Sequence, residues 1–165
     1  MTEGRLRSAI ALFAVAGLGI ASYLTYARYS GAQLLCATGG CETVQHSRYA
    51  VVAGIPVAVL GLVAYLAFLG TTAFRGQTAA AAGVCVAVAA VLFSTYLLLV
   101  QLLLVHALCQ WCVAGDVVVT ILAALTAARF LVSSGVEPPL AIPRAGPARS
   151  RNGRAPRGSA GGASA

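Results

Sequence analysis

The stretch Thr78–Leu108 reads TAAAAGVCVAVAAVLFSTYLLLVQLLLVHAL, and no Asp, Glu, Lys or Arg interrupts it. A bilayer's hydrocarbon core is roughly 30 Å thick and is crossed by a helix of about 20 apolar residues. This run is long enough to tilt or to project past the lipid. Three further runs share its character: Ile10–Tyr26, Val51–Phe74 and Cys112–Val132. Pro56 falls in the first turns of the second run, where its missing N–H costs little. The fold class expected from this pattern is an all-α integral membrane protein, a bundle of four transmembrane helices.

Composition points the same way. Hydrophobic residues make up 59% of the 165 and charged residues 9%, against roughly 25% charged in soluble domains. So few charges cannot cover a water-facing surface, whereas lipid solvates an apolar exterior directly. The net charge is +7, and every basic residue is Arg. Those arginines lack interleaved aromatics, so membrane topology explains them better than nucleic acid does. With four spans, Arg5, Arg7, Arg75, Arg129 and the arginines of the tail share one side, and only Arg28 and Arg48 take the other. The positive-inside rule then puts both termini in the cytoplasm. Arg5 and Arg7 ahead of an Ala14–Ala16 pattern could mark a signal peptide, but the apolar run continues past it. Residues 1–132 are expected to form the membrane domain. Residues 133–165, rich in Arg, Pro, Gly and Ala, read as a disordered cytoplasmic tail whose arginines meet anionic headgroups.

The opposite, extracytoplasmic face receives the loop Ala27–Ala50 and the connection around His106–Trp111. Four of the five cysteines fall there: Cys36 and Cys41 in the loop, Cys109 and Cys112 as Cys-Gln-Trp-Cys at the start of the last helix. The outer compartment is oxidising, so both pairs can exist as disulfides. Two residues between cysteines at a helix start bring the sulfurs within bonding distance, and the helix N-terminus stabilises a thiolate. Two pairs on one face allow one disulfide to oxidise or reduce the other through a mixed disulfide. Competing readings are structural staples on a non-catalytic scaffold, a four-thiolate zinc site, and a transporter that merely contains cysteines. The fifth, Cys85, reads as a small buried apolar residue.

A Cys pair in the first outer loop, Ser47 after it, Gly54-Ile-Pro56 opening the second span, and Cys109-Gln-Trp-Cys112 before the last helix form an ordered pattern. It resembles a bacterial member of the vitamin K epoxide reductase family, over Cys36–Gly61 and Leu108–Asp116, with the topology extending the likeness from about residue 8 to residue 132. The disulfide-forming quinone reductases of other bacteria place their two pairs in the reverse order. The resemblance implies a relay with Cys36, Cys41, Cys109 and Cys112 as catalytic residues. A reduced thioredoxin-fold partner, a separate exported thiol oxidase, attacks the loop disulfide at Cys41. Cys36 then attacks Cys109, and Cys112 is left to reduce a lipid quinone: menaquinone, ubiquinone or a vitamin K-like quinone. The net result is disulfide formation outside the cytoplasm, by an enzyme of the bacterial cytoplasmic membrane.

The same resemblance puts Ser47 and Asp116, beside Cys112, at the quinone. Asp116 lies one turn after Cys112 on the same helix face; a Tyr is expected there in the animal enzymes. Ser47 reads equally as a cap, and Asp116 as a charge favoured by the helix N-terminus. Gly39 and Gly40 make the loop supple, and a short half-helix can start at Cys41 and lie on the membrane. Trp111 suits the interface, with its N–H hydrated. His106 shares a face with Cys109 if the third helix continues that far, and His46 reads as a solvated loop residue.

Overall fold

The computed structural model describes residues 3–135. The expected tail over 133–165 lies, from residue 136 onward, outside the described residues. Four long helices dominate: α1 (Glu3–Ser30), α3 (Val57–Ala73), α4 (Gln77–Val100) and α5 (Gln110–Ser133). A short α2 (Cys41–His46), a 3-10 turn (Arg48–Ala50) and a hairpin of β1 (Val51–Val52) and β2 (Ile55–Pro56) fill the connection between α1 and α3. α1, the α4 segment through Val105, and α5 are each long and apolar enough to cross a membrane. α3 is apolar but has only 17 residues.

The buried residues of α1 are Leu6, Ile10, Ala14, Gly17, Ala21, Leu24 and Ala27. Steps of three and four keep them on one stripe. Small residues in that stripe let other backbones come close. At Gly17 an added Cβ would sit 2.2 Å from the Tyr65 ring of α3, and at Gly83 of α4 it would sit 2.8 Å from Thr126 of α5. The helices pack as a ring in the order α1–α3–α4–α5 and back to α1. Its core is built from Ile10, Ala14, Ala21, Tyr65, Phe68, Ala87, Val119 and Leu122.

One end of the ring is tied by two arginines. Arg129 is fully buried; its Nη1 donates to the Thr71 carbonyl at 2.7 Å and its Nη2 to the Phe74 carbonyl at 2.9 Å. Nη2 also lies 3.6 Å from Glu3. Arg7 donates to the Thr72 carbonyl. The last carbonyls of α3 have no partner within their own helix, and cations at that end also complement the helix dipole. The start of α1 and the ends of α3 and α5 are thereby gathered at one end, and Cys36, Cys41, Cys109 and Cys112 lie at the other.

Two expected spans change shape at the cysteine end. The second does not begin at Val51. Val51 pairs with Pro56 and Val52 with Ile55, around a turn in which Ala53 and Gly54 both have positive φ, 50° and 83°. Such turns match the twist of a two-residue hairpin. Pro56 also disfavours helix at Ile55, so Pro56 precedes the helix instead of sitting in its first turns. The third run stays helical only to Val100, passes into a π turn over Gln101–Val105, and ends where His106 takes φ 53°. The fourth helix starts at Gln110, capped by Cys109.

Gly17→Ala should lower the stability of the detergent-solubilised protein by about 1–3 kcal/mol, the usual cost of overpacking. Gly19→Ala, with open space around the new Cβ, should cost nothing. Thermal unfolding of the two variants side by side checks this.

Candidate redox site

Cys109 is the N-cap of α5. Its Sγ accepts the backbone N–H of Cys112 at 3.3 Å, and its carbonyl accepts from Val113 N–H at 3.0 Å. Its own N–H donates to Gln101 Oε1 at 3.0 Å. Gln101 is itself buried, in the π turn. The turn therefore carries a polar side chain to the foot of α5, where it satisfies the buried Cys109 amide. Cys109 is wholly buried and Cys112 half-buried, and both are thiols. A hydrogen bond from the Cys112 side chain, only partly opposed by burial, pulls the Cys109 thiol down to about 7. The free N–H groups at a helix start favour a thiolate in the same direction.

Cys36 and Cys41 are joined as a disulfide, with Cα atoms 6.0 Å apart. Cys41 opens α2, and its N–H points to the Cys36 sulfur at 3.3 Å. Gly40, just before it, lies against the backbone of Leu108, just before Cys109: a Cβ on Gly40 would sit 2.5 Å from the Leu108 carbonyl oxygen. Thr38 Oγ1 donates to that same oxygen at 3.0 Å. The two cysteine pairs are thus brought together through the residues that precede Cys41 and Cys109. Their exposures differ: Cys41 is fully buried, whereas Cys36 is only half-buried in an otherwise exposed loop.

Beside Cys112 is a partly open cavity of about 160 Å³, lined by all four long helices and by α2. Apolar residues such as Ile20, Leu24, Leu60, Phe93 and Leu97 form most of its wall. Cys112, Asp116 and Ser47 all reach it. Ser47 Oγ donates to the Val44 carbonyl at 2.7 Å, closing α2, so the residue both caps and lines. Ser94 of α4 donates to Asp116 Oδ1. Asp116 Oδ2 is buried with no hydrogen-bond partner among the described residues. Tyr65 also lines the cavity and donates to the Gly115 carbonyl at 3.1 Å.

Ser94, Tyr65 and Gln101 escaped the sequence reading. Ser94 and Gln101 are polar breaks in the long apolar run, a signal that was present but carried no pairing. Other expectations are corrected. Trp111 does not leave its N–H to water; it donates to the Leu35 carbonyl at 2.8 Å, with the indole edge-on to Tyr23 at 5.1 Å. His106 does not share a helical face with Cys109, because the helix ends at His106, which is exposed. Cys85 is exposed on α4, not buried. His46 is exposed, as expected, but it ends α2 and does not sit in a loop; its Nδ1 lies 3.4 Å from Arg28 Nη1.

A bundle of membrane-length apolar helices carrying two apposed cysteine pairs at one end defines a membrane protein built for thiol chemistry. The model of the vitamin K epoxide reductase family matches residues 8–127, and the chain belongs to that family. Membership makes it a membrane thiol oxidoreductase of a family linked to quinones. No curated protein matches the sequence.

Thiolate absorbance of Cys109 should rise through pH 7, because its lowered pKa populates the thiolate above that point. Cys112→Ala removes the hydrogen bond responsible and should move the midpoint up toward the ordinary thiol value near 8.5. Cys112→Ser keeps a donor and should shift it less. Ultraviolet titration of the three proteins checks the order.

Proposed function

We propose that the chain is a four-span enzyme that passes electrons from the thiols of a separate exported thioredoxin-fold protein to a lipid quinone, supporting disulfide formation outside the cytoplasm. In this reading α3 is the fourth span. Its 17 residues cover about 26 Å, a shortfall that local bilayer thinning accommodates at small cost. The arginines then place both termini in the cytoplasm and the cysteines on the extracytoplasmic side of the bacterial cytoplasmic membrane.

Burial argues for a relay order different from the one the resemblance first suggested. Cys41 is fully buried, whereas Cys36 is partly exposed and so the more accessible sulfur to a partner protein. The partner thiolate therefore attacks Cys36, forming a mixed disulfide and releasing Cys41 as a thiolate. Cys41 attacks Cys109 of the oxidised Cys109–Cys112 pair, which releases Cys112. The Cys36 thiolate, freed when the partner's second thiol closes its own disulfide, attacks Cys41 and leaves Cys109 and Cys112 reduced. That dithiol then hands two electrons and two protons to the quinone and closes to a disulfide.

The observation that carries the proposal is the position of Cys112 and Asp116 on one apolar cavity at the foot of α5. A dry cavity of about 150 Å³ accepts a single aromatic ring, and the volume here is similar, ≈ 160 Å³. An apolar wall with a few polar groups is the chemistry expected for a ring with two carbonyls. With its proton on the unpartnered Oδ2, Asp116 donates to a quinone carbonyl oxygen, while Ser94 donates to Oδ1 and fixes the rest of that carboxyl.

The test is quinone reduction by the detergent-purified protein, supplied with a reduced thioredoxin-fold thiol oxidase. Cys41→Ala and Cys112→Ala should each abolish turnover. Asp116→Ala, which removes the donor, should retain it with a KM for quinone roughly five- to tenfold higher, the loss of about one hydrogen bond, and Asp116→Asn, which keeps an N–H donor, should raise it less. Turnover that survives Cys112→Ala would sink the relay. Cysteines that resist mild reductant, with no turnover on any quinone, would instead indicate structural disulfides.

A further inference from the structure

The two residues between Cys109 and Cys112 do more than set a spacing. Gln110 faces the Cys36 loop with both ends of its amide: Oε1 accepts from Ala37 N–H at 2.9 Å, and Nε2 donates to the Leu35 carbonyl at 3.3 Å. Trp111 donates its indole N–H to that same Leu35 carbonyl at 2.8 Å. Tyr23 of α1 completes the grip: its hydroxyl accepts the Leu35 N–H at 3.1 Å, and its ring meets the Trp111 indole. The main chain on both sides of Cys36 is therefore held by side chains from the Cys109–Cys112 turn and its neighbour. Leu35 itself is 78% exposed, so hydrophobic burial is not what docks this loop.

We propose that Gln110 and Trp111 are positioning residues for the transfer between the two pairs, latching the Leu35–Ala37 backbone to the start of α5. The inference rests on the relay reading above. When the partner opens Cys36–Cys41, the covalent tie between Cys36 and the start of α2 is lost. The latch keeps the loop on α5 through that moment, so Cys41 stays beside Cys109 and Cys36 stays within reach to resolve the Cys41–Cys109 bond. Without it, the loop Gly31–Gly40 becomes a flexible tether, and the local concentration of one sulfur at the other falls.

The test measures that local concentration directly. In the full chain carrying Cys36→Ala, Cys85→Ala and Cys112→Ala, only Cys41 and Cys109 remain. Oxidised glutathione takes both thiols to a Cys41–Cys109 disulfide and is itself reduced to two glutathione molecules. The equilibrium constant of that exchange is the effective concentration of the pair. Adding Trp111→Phe, which keeps a ring against Tyr23 but removes the N–H, should lower it about fivefold; Gln110→Ala, which removes two bonds, about tenfold. Gln110→Glu keeps the acceptor for Ala37 N–H and loses only the donor, so it should recover part of the loss. A merely structural role would lower the unfolding temperature and leave the exchange constant unchanged. Unchanged constants in Trp111→Phe and Gln110→Glu, the two mildest variants, would overturn the latch even if Gln110→Ala fails to fold. Failure of the parent to form any Cys41–Cys109 disulfide would overturn the relay, and the latch with it.

Discussion

The close approach of the Gly40 and Leu108 backbones is the contact on which the rest of the site depends. A Cβ on Gly40 would collide with the Leu108 carbonyl, so glycine alone permits the approach. Each of these residues precedes a cysteine, Cys41 on one side and Cys109 on the other. Bringing two backbones together is how the fold joins two separate motifs, far apart in the chain, into one site. Thr38 then binds the same Leu108 carbonyl, satisfying the polar group that the contact would otherwise leave partly bare.

The centre is polar and stands at the end of an apolar bundle, and its polar atoms are accounted for locally. The π turn spends one helical repeat to bring Gln101 under the Cys109 amide. Turns of this kind recur at functional sites because they re-aim side chains without breaking a helix. Ser94 and Tyr65 perform similar tasks one level deeper, holding Asp116 and the Gly115 carbonyl. Asp116 Oδ2 is the exception, and it belongs to a residue on the cavity wall beside Cys112, where a ligand's polar atom can complete it. The far end of the bundle uses the same economy, with Arg129 and Arg7 closing the carbonyls at the end of α3.

Division of labour between the cysteines follows from burial. Cys36 is half-buried in the outer loop; Cys41 and Cys109 are sealed from solvent; Cys112 borders the cavity. In the proposed relay, that order puts the entry on the wet side and the exit on the dry side. Shielding the inner pair keeps stray thiols away from it, and the lowered pKa of Cys109 makes it a good leaving group when a disulfide involving it is broken.

Much of this was legible in the chain before any tertiary contact was known. Apolar runs over Ile10–Tyr26, Thr78–Leu108 and Cys112–Val132 identified a membrane helical protein, because spanning length and absence of charge are properties of a segment taken alone. The Cys-x-x-Cys at a helix start and the short helix from Cys41 were local as well, set by capping and chain stiffness. The family followed from motifs in order along the chain. What the sequence could not supply was pairing at a distance. That Ser94 holds Asp116, that Gln101 holds Cys109, and that Trp111 turns its N–H to Leu35 instead of water depend on which helices are neighbours and on where the π turn after α4 ends, at His106. The hairpin that trims α3 was written in Ala53-Gly54-Ile55-Pro56, yet an apolar run masked it, since hydrophobicity reports burial and not backbone direction. Cys41 is buried where the backbone before it packs against Leu108, far along the chain, whereas Cys36 is half-buried. Tertiary structure decided the accessibility of each sulfur for that reason: accessibility is a property of the whole packed surface, and no local stretch of residues contains it.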